Sequence, residues 1–287
     1  MFNSKVVLIT GANSGIGYET ALGIAKTKAT LVLVGRNAAK CEEARRQIVE
    51  QSHNDQVKVI VADLESQAAI QQFAAEFKRH YNRLDILINN AGGIFKERQT
   101  TADGFERTLG LNHFGYFLTT HYLHDILTAT PESRLVNVAS AAHRFVRNMN
   151  FDDLMLEKKY GEWAAYGQSK LANILFTRHL ADLWQKNGIK TIANCLHPGT
   201  VRTNFGTHDF WLIRLAFHHL PFFKSAKQGA ATSLHLALSP DIEKKTGGYY
   251  DNCRLSKSSR AASDTAAMQS LWERSLSLTG ISEFGRG

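Results

Sequence analysis

Short apolar runs alternate along the chain with longer stretches of helical period. Lys5–Thr10 (KVVLIT), Thr30–Gly35 (TLVLVG) and Val57–Ala62 (VKVIVA) read as strands. So do Asp85–Asn89 (DILIN), Arg134–Ser140 (RLVNVAS), Lys190–Leu196 (KTIANCL) and a last short run at Gly248–Asp251. These runs are bounded by turn residues and are too short for buried helices. Helical patterns lie between them at Gly15–Lys26, Ala38–Gln51, Gln67–Tyr81, Ala102–Ala129, Glu162–Gln185 and Ser225–Leu238. Strands separated by helices of that length indicate right-handed crossovers and a parallel sheet. Unbroken Val/Ile/Leu runs indicate strands covered on both faces. The expected architecture is one doubly wound α/β domain over residues 1–287, with a mainly parallel seven-stranded sheet and a C-terminal tail from about residue 252.

Composition changes little in that picture. The 287 residues are 44% hydrophobic and 21% charged, with 4 prolines and 21 glycines, which excludes a disordered or collagen-like chain. Cys41, Cys195 and Cys253 are odd in number and far apart, which argues against a disulfide framework or zinc site and for a reducing compartment. No run of about 18 apolar residues occurs, so no spanning helix is expected. Apolar Val6-Val7-Leu8-Ile9 follows Met1 so closely that no targeting segment fits, and a cytoplasmic location is expected. The net charge of +8 invites a nucleic-acid or anionic-membrane partner, yet Lys and Arg are scattered and no nucleic-acid motif occurs.

The first strand closes on Thr10-Gly11-Ala12-Asn13-Ser14-Gly15-Ile16-Gly17. Glycines let the backbone turn and approach a pyrophosphate, and the following helix N-terminus offers free N–H groups to the anion. Gly11, Asn13, Ser14, Gly15, Ile16 and Gly17 are therefore candidate cofactor contacts. After the second strand, Gly35-Arg36-Asn37 has no carboxylate in reach to accept from an adenosine ribose 2′-OH. Arg36 offers a fork for a 2′-phosphate instead, which selects NADP(H) over NAD(H). Asp63 and Leu64, after the third strand, are placed against the adenine amino group and ring. Asn90, Ala91 and Gly92, after the fourth, are placed beneath the cofactor ribose. Asn89 and Asn90 have a second reading, as side chains that tie neighbouring loops together.

Tyr166 and Lys170 share one helix face at i,i+4. A phenol near its ordinary pKa of about 10 exchanges protons poorly at neutral pH, and a nearby ammonium lowers that value. Tyr166 is then expected to be a general acid for a carbonyl or a base for an alcohol. Ser140 ends the fifth strand, where open α/β sheets bind ligands. Asn112 sits inside the long helical stretch, a poor place for asparagine, where a bend could position Lys170 through a water chain.

With TGxxxGIG, NNAG, Asn112, Ser140, Tyr166xxxLys170 and Pro198-Gly199 in order, the chain resembles the short-chain dehydrogenase/reductases over roughly residues 5–250. The resemblance implies a Rossmann fold and an Asn112–Ser140–Tyr166–Lys170 tetrad, with Lys170 also on the nicotinamide ribose. It also implies cofactor contacts at Pro198, Gly199, Val201 and Thr203. Val136–His143 and Tyr166–Phe176 are similar to the retinol-dehydrogenase-like branch, as is the long stretch between Ser140 and Tyr166. Ala139 stands where that branch commonly has a second serine, and Gly35 where cysteine is frequent. The N-terminal membrane anchor of many animal members is not seen.

The expected activity is NADP(H)-dependent interconversion of a carbonyl and an alcohol on a lipophilic substrate of retinoid-like bulk. A catalytically silent NADP(H)-sensing protein is the alternative. Aromatic Phe205–Phe223 reads as a lid over an apolar pocket, with a membrane-surface patch or a packing face as other readings. Peripheral membrane contact and a homo-oligomer stay open. His113, His121 and His124 lack the surroundings of a metal site, and no metal is expected. His143 is a candidate pocket residue, and Arg254–Arg260 reads as a solvated loop.

Overall fold

In the computed structural model, which describes residues 2–200 and 224–286, the expected alternation is present. The first half runs β1 (Val6–Thr10), α1 (Gly15–Ala25), β2 (Thr30–Gly35), α2 (Ala38–Ser52), β3 (Val57–Val61), α3 (Gln67–His80) and β4 (Ile86–Asn89). Next come α4 (Arg107–Leu109), a π turn (Gly110–Phe114), α5 (Gly115–Tyr122), α6 (His124–Ala129), β5 (Arg134–Val138) and α7 (Glu162–Lys186). The last part holds β6 (Ile192–His197), α8 (Ala226–Leu238), β7 (Tyr249–Asp251), β8 (Arg254–Leu255) and α9 (Thr265–Thr279). Local chemistry sets several starts. Asn37 caps α2 through Lys40 N, Asp264 caps α9, and Ser225 with Gln228 forms a reciprocal box at α8.

The strands form one sheet in the order β3-β2-β1-β4-β5-β6-β7-β8. Every pairing is parallel except β7 with β8. Alternate side chains serve opposite faces. Val7, Ile9, Leu31 and Leu33 pack with residues of α1 and α8 on one side. Leu8, Val32, Val34 and Leu87 pack on the other with Phe73 and Phe77 of α3, Phe117 of α5, and Leu171 and Leu175 of α7. Strand order reverses between β1 and β4, so their C-terminal ends diverge and open a crevice.

Three expectations are corrected. The seven-stranded sheet gains an eighth strand, because Arg254–Leu255 pairs with Tyr250–Asp251 where a solvated loop was expected. The presumed tail contains α9, whose Met268, Leu271 and Ser275 are buried. The long helix does not start at Ala102; it starts at Arg107, passes through the π turn and breaks again at Leu123. The readings placed on Val201, Thr203 and Phe205–Phe223 lie outside the described residues. None of the described helices is long and apolar enough to cross a membrane.

The histidines of the broken helix hold the C-terminal part in place. His113 Nε2 meets Ser275 Oγ at 2.9 Å, and His121 Nδ1 accepts from Gly285 N at 3.0 Å. His124 Nε2 accepts from Trp184 Nε1 at 2.9 Å. Phe284 packs its ring against Phe117, His121 and Trp272. Among the described residues no group of three or more potential ligands gathers around these histidines. Burial pushes His113 down to about 3 and His121 to about 4, and lowers His124 too. The unfolded chain takes up protons near pH 6.5 that the folded chain refuses, so stability is full above that pH and is lost as pH falls. Between pH 7 and pH 5 the loss is about 2 kcal/mol for each of His113 and His121. Melting temperature followed by circular dichroism should fall across that interval, and His121→Asn should flatten the fall.

Candidate active site

The Gly-rich turn lies at the crevice. Gly11 has φ +66°, and a Cβ built there would sit 2.7 Å from Ala91 Cα, so the ends of β1 and β4 touch through backbone alone. At Gly17 a Cβ would meet Gly11 O at 2.2 Å and Asn90 Nδ2 at 2.4 Å. Ser14 occupies the N-cap of α1, yet no side chain caps that helix and its first turn holds no acid. Gly15, Ile16 and Gly17 thus begin the helix with uncapped N–H groups, the donor set an anionic pyrophosphate needs. The chain fits a dinucleotide here. Asn13 Oδ1 lies 3.4 Å from where a Gly35 Cβ would be, which joins the turn to the end of β2.

Asn89 and Asn90 both take the loop-tying role. Asn90 Nδ2 donates to Thr10 O at 2.9 Å and Gly11 O at 3.1 Å, while its backbone N donates to Thr10 Oγ1. Asn89 Nδ2 donates to Asn137 Oδ1 at 2.9 Å and Thr120 Oγ1 at 3.1 Å. Asn90 therefore shapes the Gly-rich turn with its amide, and Ala91 and Gly92 remain at the crevice as small residues. Gly199 has φ +87° and follows Pro198 at the start of the 198–200 stretch beyond β6.

At the C-terminal ends of β2 and β3 two expectations change. Leu64 does not offer its side chain to a ring: it is 5% exposed and packs in the core beside Gly115. Arg36 does have a carboxylate in reach, because Glu65 Oε1 accepts from its Nη1 at 2.8 Å. Glu65 comes from the turn after β3, 29 residues along the chain. Asp63 is exposed there, and its Oδ1 accepts from Glu65 N.

The four catalytic candidates converge. Ser140 follows β5, and its side chain hydrogen-bonds the Tyr166 hydroxyl and accepts from Ala142 N. Lys170 is 2% exposed, donates to Val138 O at 2.9 Å, and lies 5.6 Å from the ring centres of both Tyr116 and Tyr166. Asn112 sits in the π turn, where the widened coil turns its amide inward. Its Nδ2 donates to Gly93 O and Ser169 Oγ at 2.9 Å each, and its Oδ1 accepts from Gly93 N at 2.7 Å. It clamps the loop after β4 to the helix that carries Tyr166 and Lys170.

The electrostatics run opposite to the expected depression of the phenol. Burial pushes Tyr166 up to about 12, offset in part by the Ser140 hydrogen bond, and pushes Lys170 down to about 7. Desolvation of both charged forms outweighs their mutual attraction. Tyr166 therefore rests as a neutral phenol beside a lysine that titrates near neutrality.

Three contributors escape a sequence reading. Tyr116 is fully buried, one turn beyond Asn112, and shares the Val138 carbonyl with Lys170. Its i,i+4 spacing from Asn112 was the available signal. Ser169 and Glu65 carry no local signal of their partners. His143 does not line the pocket: buried completely, it bonds Ser140 O through Nδ1 at 2.6 Å and accepts from Ser259 N at Nε2. Exposed aromatics Phe145 and Trp163 pack edge to face, and Trp163 in turn meets Tyr166 at 6.5 Å.

The short chain dehydrogenase family model matches residues 5–210, and the chain belongs to that family. Within the family it falls in the retinol-dehydrogenase-like branch. It is 42% identical to human retinol dehydrogenase 12, covering 96% of this chain and 87% of the relative. It is 38% identical to human polyprenol dehydrogenase, covering 96% and 86%. Among solved structures, an uncharacterised protein of Mycobacterium paratuberculosis superposes with a TM-score of 0.79 at 33% identity, covering 96% and 93% of the two chains. A short chain dehydrogenase from Escherichia coli complexed with NADPH gives 0.69 at 27% identity, covering 88% and 97%. The chain is an oxidoreductase with a Rossmann fold.

Gly17→Ala tests the crevice. The added methyl cannot fit against Gly11 O and Asn90, so the turn must open. Fluorescence titration should show dinucleotide binding lost, and thermal unfolding should show a stability loss of about 2 kcal/mol or more.

Proposed function

We propose that the protein interconverts an aldehyde or ketone and its alcohol with NADP(H), on a lipophilic substrate of retinoid-like bulk. The observation that carries this reading is the Ser140–Tyr166 hydroxyl pair with the Lys170 ammonium buried behind it. When bound, the dinucleotide supplies or accepts the hydride. The Ser140 hydroxyl orients the substrate oxygen. Tyr166, protonated because it is buried, donates its proton to that oxygen in the reducing direction and leaves the alcohol. Lys170, titrating far below the phenol, returns a proton to the phenolate downhill. Asn112 positions the Lys170 helix and joins the water relay that refills it.

The choice of NADP(H) is supported by Arg36 at the adenosine end and by the NADPH complex of the E. coli relative. A lipophilic substrate is supported by the exposed Phe145–Trp163 pair beside Tyr166 and by relatives named for retinol and polyprenol.

A screen of lipophilic aldehydes and alcohols with both cofactors tests the activity; tight NADPH binding without turnover on any of them would favour the sensing alternative. Tyr166→Phe should lower turnover by about a thousandfold and leave the NADPH Kd within about twofold. Arg36→Ala should weaken NADPH at least about tenfold more than NADH. The reducing rate should fall as pH rises through about 7, where Lys170 loses its proton. Lys170→Met should abolish that limb of the profile; if the limb survives, Lys170 is not the group that titrates.

A further inference from the structure

Glu65 is the centre of a three-residue chain at the adenosine end. Its side chain is 12% exposed and accepts from Arg107 Nε at 2.6 Å and Nη2 at 3.2 Å. Arg107 is held in turn by the Phe95 ring, 4.0 Å beneath its guanidinium, and by Gln99. The carboxylate is thus fixed from one side. On the other side it takes Arg36 Nη1 at 2.8 Å, although the Arg36 side chain is 59% exposed.

An exposed arginine left to itself samples many rotamers, and fixing one costs entropy when a ligand arrives. A guanidinium has two forks, the Nη1/Nη2 end and the Nε/Nη2 edge. With Nη1 bonded to Glu65, the Nε/Nη2 edge carries no partner among the described residues. That edge is the fork a phosphate takes bidentately.

We propose that Glu65 is a positioning residue for cofactor choice: it holds Arg36 by Nη1 and leaves the Nε/Nη2 edge for the 2′-phosphate of NADP(H). Selectivity then belongs to the Arg36–Glu65–Arg107 chain and not to Arg36 alone. The inference rests on the dinucleotide reading above. It makes a counterintuitive statement about sign. A carboxylate beside a phosphate site repels it by simple charge counting. Arg107 neutralises that carboxylate at 2.6 Å, so its orienting effect on Arg36 dominates.

The test measures Kd for NADPH, NADH and adenosine 2′,5′-bisphosphate by quenching of intrinsic tryptophan fluorescence. Glu65→Ala should weaken NADPH and the bisphosphate about tenfold while NADH stays within about twofold. Glu65→Gln keeps an oxygen acceptor for Nη1 in a side chain of the same shape, and should recover most of the loss. Tighter NADPH binding in both variants would make Glu65 a repelling charge and overturn the proposal. So would NADPH binding that Glu65→Ala leaves intact, with the function above still standing. Wild-type protein that binds neither dinucleotide would overturn the function and this proposal together.

Discussion

The buried Lys170 amine, with no carboxylate partner among the described residues, is the constraint on which the candidate site depends. Removing a charge from water costs several kcal/mol unless something replaces the lost solvent. For Lys170 that replacement is the Val138 carbonyl and the faces of Tyr116 and Tyr166. These are dipoles and quadrupoles, weaker than an ion pair, so the lysine sits near neutrality instead of being locked in its charged form. A carboxylate in the same place would have held the proton on the lysine. The surroundings must still admit the side chain. Gly92 leaves room, since a Cβ there would lie 3.6 Å from the ammonium and 3.0 Å from Asn112 Oδ1.

The same constraint explains why the helix after β4 is broken. An α-helical Asn112 would continue the regular coil, with its amide competing for the backbone of its own turn. The π turn at Gly110–Phe114 widens the coil and sends the amide across to Gly93 and Ser169. Ser169 itself donates to Tyr166 O, so the clamp reaches the Tyr166 backbone. Downstream, His113 and His121 bond α9 and the C-terminal stretch, and the His124 ring meets Phe284 while its Nε2 ties the helix to Trp184 of α7. Helix α9 therefore braces the element that sets Asn112, at a distance from the chemistry.

The strands and the Gly-rich turn were legible because their causes are local. A Val/Ile run bounded by glycine predicts β1 and β2 within a residue, and the uncapped turn after β1 follows from Gly11–Gly17 alone. The meeting of the four candidate residues was legible because Tyr166 and Lys170 share one helix face and Ser140 follows a strand. Register within a helix is different. Apolar periodicity from 102 to 129 does not record an i→i+5 turn or the break at Leu123, so the stretch read as one helix. Desolvation was equally invisible. The direction of the Tyr166 shift depends on burial that only the packed core supplies. The Arg36–Glu65 contact joins residues from two different crossovers, and neither residue announces the other.

The two ends of the crevice are mechanically one piece. Arg107 in α4 fixes Glu65 after β3, and Asn112, five residues on, clamps Gly93 after β4. Phe95, in the loop that begins at Ala91, lies under Arg107 and closes the circuit between them. Glu65 is thus tied through Arg107 to the segment that enters the π turn. The hold on Glu65 and the placement of Asn112 therefore come from a single short segment, residues 91–112.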